Sequence, residues 1–154
     1  MDQTEFERWR AAADDAQRAA ETAANAGHHS WACFLAEQAA QLALKGLLHG
    51  VGSGAWGHDL VDLGQVLSET LESELPESLT PALQRLSRHY IPTRYPDAHA
   101  SGSPESHYGR SDVEQALEDL AIIQKYVEVA WAAFLEQSEL VERSERGEDD
   151  DNAN

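Results

Sequence analysis

At 154 residues the chain has the length of one domain with a real hydrophobic core. Its 28 acidic residues against 11 basic ones, a formal net charge of −17, exclude broad binding to phosphate backbones and predict a surface suited to a high-salt cytoplasm. The apolar runs are too short for a membrane span, and the single cysteine, Cys33, excludes an intrachain disulfide and a multi-cysteine metal cluster.

The opening MDQTEFERWR lacks the basic-then-apolar order of a secretory signal, so a cytoplasmic protein is expected. A first helix is predicted from Thr4, with Thr4 and Glu7 as a capping box. Phe6, Trp9, Ala13, Ala16, Ala20 and Ala23 follow at three- and four-residue spacing and form one apolar stripe. Gly27 ends the helix. A second helix runs from about Ser30 to His49. It is apolar on more than one side, which makes it central, and Cys33 within it reads as a small buried hydrophobe. Residues 50 to 57, GVGSGAWG, form a flexible loop.

Asp59 caps a third helix with Leu60, Leu63, Leu67 and Leu71 on one face, ended by Leu75-Pro76. Thr80-Pro81 opens a short fourth helix with Leu83, Leu86 and Tyr90 inward, stopped by Pro92. Residues 91 to 110 are a long irregular connection, a kind of segment that is more often functional than not. Ser111 and Glu114 form a second capping box, opening a fifth helix to about Val141 with Val113, Leu117, Leu120, Ile123, Val127, Trp131 and Phe134 on its apolar face. The class is all-α. The expected division is a helical domain over 1–141 and a disordered acidic tail over 142–154.

Chemistry concentrates in the irregular connection. Residues 85 to 110 carry four arginines against Asp97 and Glu105, a local balance of +2 in a chain of −17. An anion is expected there if anywhere. Histidines 28, 29, 49, 58, 89, 99 and 107 show neither HExxH nor an i, i+4 pair, so no metal site is expected. Gly50, Gly52 and Gly54 have no preceding strand and no following GK[ST], so no phosphate loop is expected either. No cofactor is foreseen.

Three stretches taken together resemble the HEPN family (higher eukaryotes and prokaryotes nucleotide-binding). They are AxxAAxLALKGLL on the second helix (Ala36 to Leu48), His58-Asp59-Leu60 after the glycine loop, and Tyr90-Ile91-Pro92-Thr93-Arg94-Tyr95-Pro96-Asp97-Ala98 before the last helix. The resemblance runs nearly end to end and omits the acidic tail. It implies an up-and-down bundle of four long helices plus a short one, a homodimer, and a small nucleotidyltransferase partner in a toxin–antitoxin-like pair. Tyr90, Arg94, Tyr95, Asp97, Lys45 and His58 are the candidate residues for a nucleotide or RNA ligand. The dimer is expected to bring its two 89–110 segments near one another.

Some relatives in that family are metal-independent ribonuclease toxins with arginine, four to six residues, then histidine. Arg94 and His99 meet that spacing. A histidine could take a proton from a ribose 2′-hydroxyl or supply one to the leaving oxygen, while an arginine fork holds the phosphate. Tyr95 stands where the toxin motif has a polar residue, and Pro96 allows no more than one helical turn. Three readings therefore stand together: a nucleotide- or RNA-interacting module with a partner, an endoribonuclease using Arg94 and His99, and a non-catalytic dimerisation scaffold. Arg94 has a structural alternative too, pairing with Asp97 or with a helix C-terminus.

The charge makes its own prediction. Screening lengths fall from about 10 Å at 0.1 M salt to about 3 Å at 1 M, which relieves repulsion between acids on neighbouring helices. The thermal midpoint should rise strongly between about 0.1 M and about 2 M KCl. A flat midpoint across that range would exclude repulsion as a limit on stability.

Overall fold

The computed structural model describes residues 1–146 and consists of five α-helices with no strand among them. They are α1 (Gln3–Asn25), α2 (His29–Gly50), α3 (Leu60–Thr70), α4 (Leu79–Ser87) and α5 (Arg110–Glu145). Two 3-10 turns, Pro96–Ala98 and Pro104–His107, interrupt the connection before α5. The fifth helix thus runs four residues past its expected end. The rest of the expected tail, from residue 147 on, lies outside the described residues.

α2 is the axis. It packs against α1, α3, α4 and α5, and fourteen of its 22 residues are buried. Small residues let its neighbours come close. A Cβ on Gly46 would lie 2.7 Å from Trp9 Cβ, and one on Gly50 would lie 2.8 Å from the Trp131 ring and 2.9 Å from Phe6 Cβ. Phe6 and Trp131 stack at 4.2 Å over that glycine, joining α1 to α5 across the end of α2. The alanines of α1 behave as their spacing predicts: Ala13 and Ala20 are buried, while Ala16 and Ala23 pack against the core.

Several caps differ from the expected ones. Asp2 caps α1, its Oδ1 accepting the Glu5 N–H at 3.0 Å, while Thr4 already lies in the first turn. The Asp2 N–H donates to the Gly50 carbonyl at 2.7 Å, a tertiary tie that sets where α1 starts. α3 is capped by Asp59 as foreseen, but it ends at Thr70. There Glu72 takes a left-handed φ of 48°, and the Ser73 N–H returns to the Ser68 carbonyl at 3.1 Å. This closed end stops the helix before Leu75-Pro76 is reached. α4 begins one residue before Thr80, and α5 begins at Arg110 with Gly109 as its cap residue. Asp112, rather than Glu114, closes that end by accepting the Gly109 N–H at 2.8 Å.

One ion pair locks α4 to α5. Arg85 Nη2 donates to Asp119 Oδ1 at 2.6 Å and Nε reaches both carboxylate oxygens, with Asp119 buried. Such a pair fixes register, and breaking one partner leaves a buried charge uncompensated.

The close packing at the two α2 glycines is the most testable feature of this architecture. Gly46→Ala and Gly50→Ala each add one methyl against a Cβ or ring that has no room to move. Overpacking of that kind costs about 1–3 kcal/mol, more than the helix propensity gained. Both variants should melt several degrees below the parent in a thermal scan followed by circular dichroism.

Candidate functional site

The connection between α4 and α5 folds back onto the N-terminal half of α2. Thr93, buried, donates from Oγ1 to the His89 carbonyl at 2.6 Å, turning the chain just past α4. Arg94 then points inward. Its Nε and Nη2 donate to the Tyr90 carbonyl at 3.0 and 2.6 Å, so two donors hold the guanidinium plane in place. The cation lies 4.3 Å from the Phe34 ring centre, 4.7 Å from Tyr90 and 5.0 Å from Tyr95. An arginine over three ring faces is held by quadrupole attraction as well as by hydrogen bonds. Of the structural alternatives for Arg94, the carbonyl just beyond a helix end is realised; the Asp97 pairing is not.

Below this cage a polar chain crosses α2. Glu37 is fully buried, its two oxygens accepting from Gln41 at 2.6 Å and Gln38 at 2.8 Å. The Gln41 amide oxygen accepts from His58 Nδ1–H at 3.2 Å, and the His58 ring stacks on Tyr90 at 4.9 Å. The path therefore closes: Glu37, Gln41, His58, Tyr90, Arg94. Burial pushes the Glu37 carboxyl up to about 6 against the downward pull of both glutamines, Arg94 and Lys45. Lys45, half-buried on the same helix two turns further on, acts here at a distance as a countercharge to Glu37.

His99 occupies a different corner. Its Nε2–H donates to the Pro92 carbonyl at 2.6 Å, and its ring stacks on His107 at 4.2 Å, nearly parallel. Tyr108 meets both His99 and His89 edge-on. His89 is half-buried, its Nδ1 enclosed and unpartnered, and burial holds its pKa below the ordinary value. Arg94 and His99 are thus anchored to two carbonyls of one segment but share no contact. Asp97 is exposed in the first 3-10 turn, and Tyr95 is 47% exposed beside Arg94.

A further group of contacts was not foreseen. The Glu105 carboxylate caps α2 from a distance in sequence. Its oxygens accept from the His29 and Ser30 N–H groups at 2.8 Å each and from the Ser30 hydroxyl at 2.7 Å, with His29 Nδ1 at 3.1 Å. Burial alone would raise its pKa; the Ser30 and His29 donors outweigh burial and hold the carboxyl below its usual range. The second 3-10 turn is pinned in this way to the helix that carries Phe34 and Glu37. Arg85, engaged with Asp119, is withdrawn from the local positive balance and leaves Arg88, Arg94 and Arg110. Cys33 is buried and its thiol is pushed up to about 12 by that burial, which makes it inert.

The sequence signal for Glu37 and Gln41 was present and went unread. Polar side chains at 37, 41 and 45, spaced by four in an otherwise apolar helix, mark one polar line on a buried element. Trp31, 51% exposed and edge-on to Phe34, extends the aromatic surface beyond Arg94. Among the described residues no cluster of three or more histidine, cysteine or acidic side chains could hold a metal ion. No described helix is long and apolar enough to cross a membrane.

The model of the HEPN domain matches residues 6–130. The chain belongs to the HEPN domain family. Three solved structures share the fold. TT1696 from Thermus thermophilus is 42% identical, with 81% of this chain and 97% of that one covered at a TM-score of 0.77. An archaeal HEPN homologue, ST0689, is 28% identical over 82% and 97%, TM-score 0.69. A HEPN domain protein from Thermotoga maritima, tm0613, is 30% identical over 81% and 98%, TM-score 0.65. No curated protein matches the chain. In this HEPN domain, α5 runs fifteen residues beyond the matched region.

Glu37 offers a direct test of the buried network. Its folded pKa of about 6 lies above the ordinary 4.5, so the fold favours the protonated acid. The penalty of the buried charge is present above pH 6 and is relieved as pH falls through 6 toward 4.5. Glu37→Gln should therefore stabilise the protein at neutral pH by about 1–2 kcal/mol, the gain vanishing under acid conditions. Urea unfolding of both proteins across that pH span checks the sign.

Proposed function

We propose that this HEPN domain is a nucleotide- or RNA-interacting module whose ligand sits over the Arg94 cluster. In this reading it is a homodimer that acts with a small nucleotidyltransferase partner in a toxin–antitoxin-like pair. The observation that carries the reading is the anchored cation. Arg94 is held by two hydrogen bonds and three rings with Tyr95 exposed at its side. A fixed guanidinium next to an open aromatic face suits a ligand with both phosphate and base, since one part pairs with charge and the other stacks. The segment's arginines also stand out from the acidic remainder, which favours an anion at this place over any other.

His99 supports a second reading. An imidazole whose Nε2–H is tied to Pro92 presents a fixed ring to solvent, as a general base or acid requires. In that case the chain is a metal-independent endoribonuclease, with Arg94 holding the phosphate and His99 moving the proton.

One set of measurements separates these readings. Titrating the purified protein with ATP and with single-stranded RNA should give saturable binding, weakened about tenfold or more in Arg94→Ala. Unchanged affinity in that variant would remove the Arg94 site. RNA products ending in 2′,3′-cyclic phosphate, lost in His99→Ala, would establish the endoribonuclease; intact RNA would leave the binding module. If Arg94→Ala changes neither ligand binding nor recovery of a co-expressed nucleotidyltransferase, the domain is a helical scaffold.

A further inference from the structure

α5 and the connection from α3 to α4 enclose an open apolar groove that shares no residue with the Arg94 cluster. Two adjoining hollows, of about 480 and about 220 Å³, both include Pro76, Tyr126 and Val129. Leu71, Leu79, Ile122 and Phe134 complete the apolar lining, and Val129 stands 56% exposed within it. Ile122, Tyr126, Val129 and Ala133 fall four, three and four residues apart, so they form one stripe on α5. From Ala121 to Gln137 the lined stretch is about 24 Å long, room for four turns of a docked helix. Its far end is formed by Ala133, Phe134 and Gln137.

The surroundings of the groove are acidic. The connection carries exposed Glu72, Glu74 and Glu77 and no base between Leu71 and Leu79. Glu118 and Glu136, exposed, continue the α5 stripe at its two ends. The lining cation, Lys125, sits 3.9 Å from Glu128. A second copy meeting this groove with its own would set Glu72, Glu74 and Glu77 against the same acids, and the chain's own last residues, GEDDDNAN, contain acids and no base. Neither complements the groove. An apolar trough edged by carboxylates matches an amphipathic helix with leucine-like anchors on one face and lysine or arginine beside them.

We propose that this groove docks a basic amphipathic helix of a partner protein. The test uses a fluorescent peptide about four turns long, with leucines at i, i+3, i+4 and i+7 and lysines elsewhere. Controls are the same composition scrambled and the same pattern with glutamates for lysines. Anisotropy with the full chain should show saturable binding of the patterned lysine peptide alone. Val129→Gln, and separately the pair Glu74→Gln and Glu77→Gln, should each weaken it about tenfold. These positions are exposed, and unchanged circular dichroism melts will confirm that the variants fold. Equal binding by the scrambled peptide, by the glutamate peptide or by Val129→Gln would overturn the proposal, as would no binding at all. So would light scattering that shows a dimer of the parent dissolved by Val129→Gln, which would assign the groove to a second copy.

Discussion

Enclosure of α2 by four other helices is the constraint on which the rest of this molecule depends. A helix with most of its residues buried cannot leave its ends or its inward polar residues to water. Its N-terminal N–H groups are met by Glu105, seventy-five residues away, and its C-terminal Gly50 carbonyl by the Asp2 N–H. Its close neighbours are admitted by removing side chains, at Gly46 against Trp9 and at Gly50 against Phe6 and Trp131. Each of these is a tertiary answer to a local demand of the helix.

The same enclosure explains the candidate site. Glu37 sits where a hydrophobe would be ordinary, and burial of a carboxylate requires donors and countercharge. Gln38 and Gln41 provide the donors, while Arg94 and Lys45 provide the charge. The Arg94 cage is therefore joined to the core through Gln41, His58 and Tyr90 rather than laid on the surface. Two ties hold the connection on α2, one at Arg94 and one at Glu105. This is how a segment with only two short 3-10 turns becomes a defined part of the fold.

Acidity and the candidate site are separated in space. The negative charge is spread over exposed helix faces, whereas the arginines of residues 85–110 serve different tasks. Arg85 neutralises buried Asp119 and sets the register of α4 on α5, while Arg94 is turned inward over aromatic rings. Arg85 is thereby taken out of the count of positive charges in that window, whereas Arg94 stays half-buried beside exposed Tyr95. The count's value lay in locating the segment.

Helix existence, order and inward faces were legible without coordinates, because period and turn chemistry are local. The alanine stripe of α1, the Asp59 cap and the Gly27 stop all follow from residues within a few positions of one another. The HEPN resemblance, carried by short stretches, was legible on the same terms. Cap choice was less so. Asp2 won over Thr4 because its tie to the Gly50 carbonyl sets where α1 starts, whereas Asp112 replaces Glu114 through an equally local pairing with Gly109. The site divides along the same line. Arg94, Tyr90, His58 and Lys45 could be picked out as residue types, yet what Arg94 touches depended on Phe34 from another helix. The stacking of His99 on His107 and the capping of α2 by Glu105 were invisible, since no local pattern links residues that only packing brings together. The sequence by itself determined the helices and the segment that holds the candidate site; only the tertiary structure decided the partners, because a buried charge or helix end is satisfied by whichever group the fold delivers.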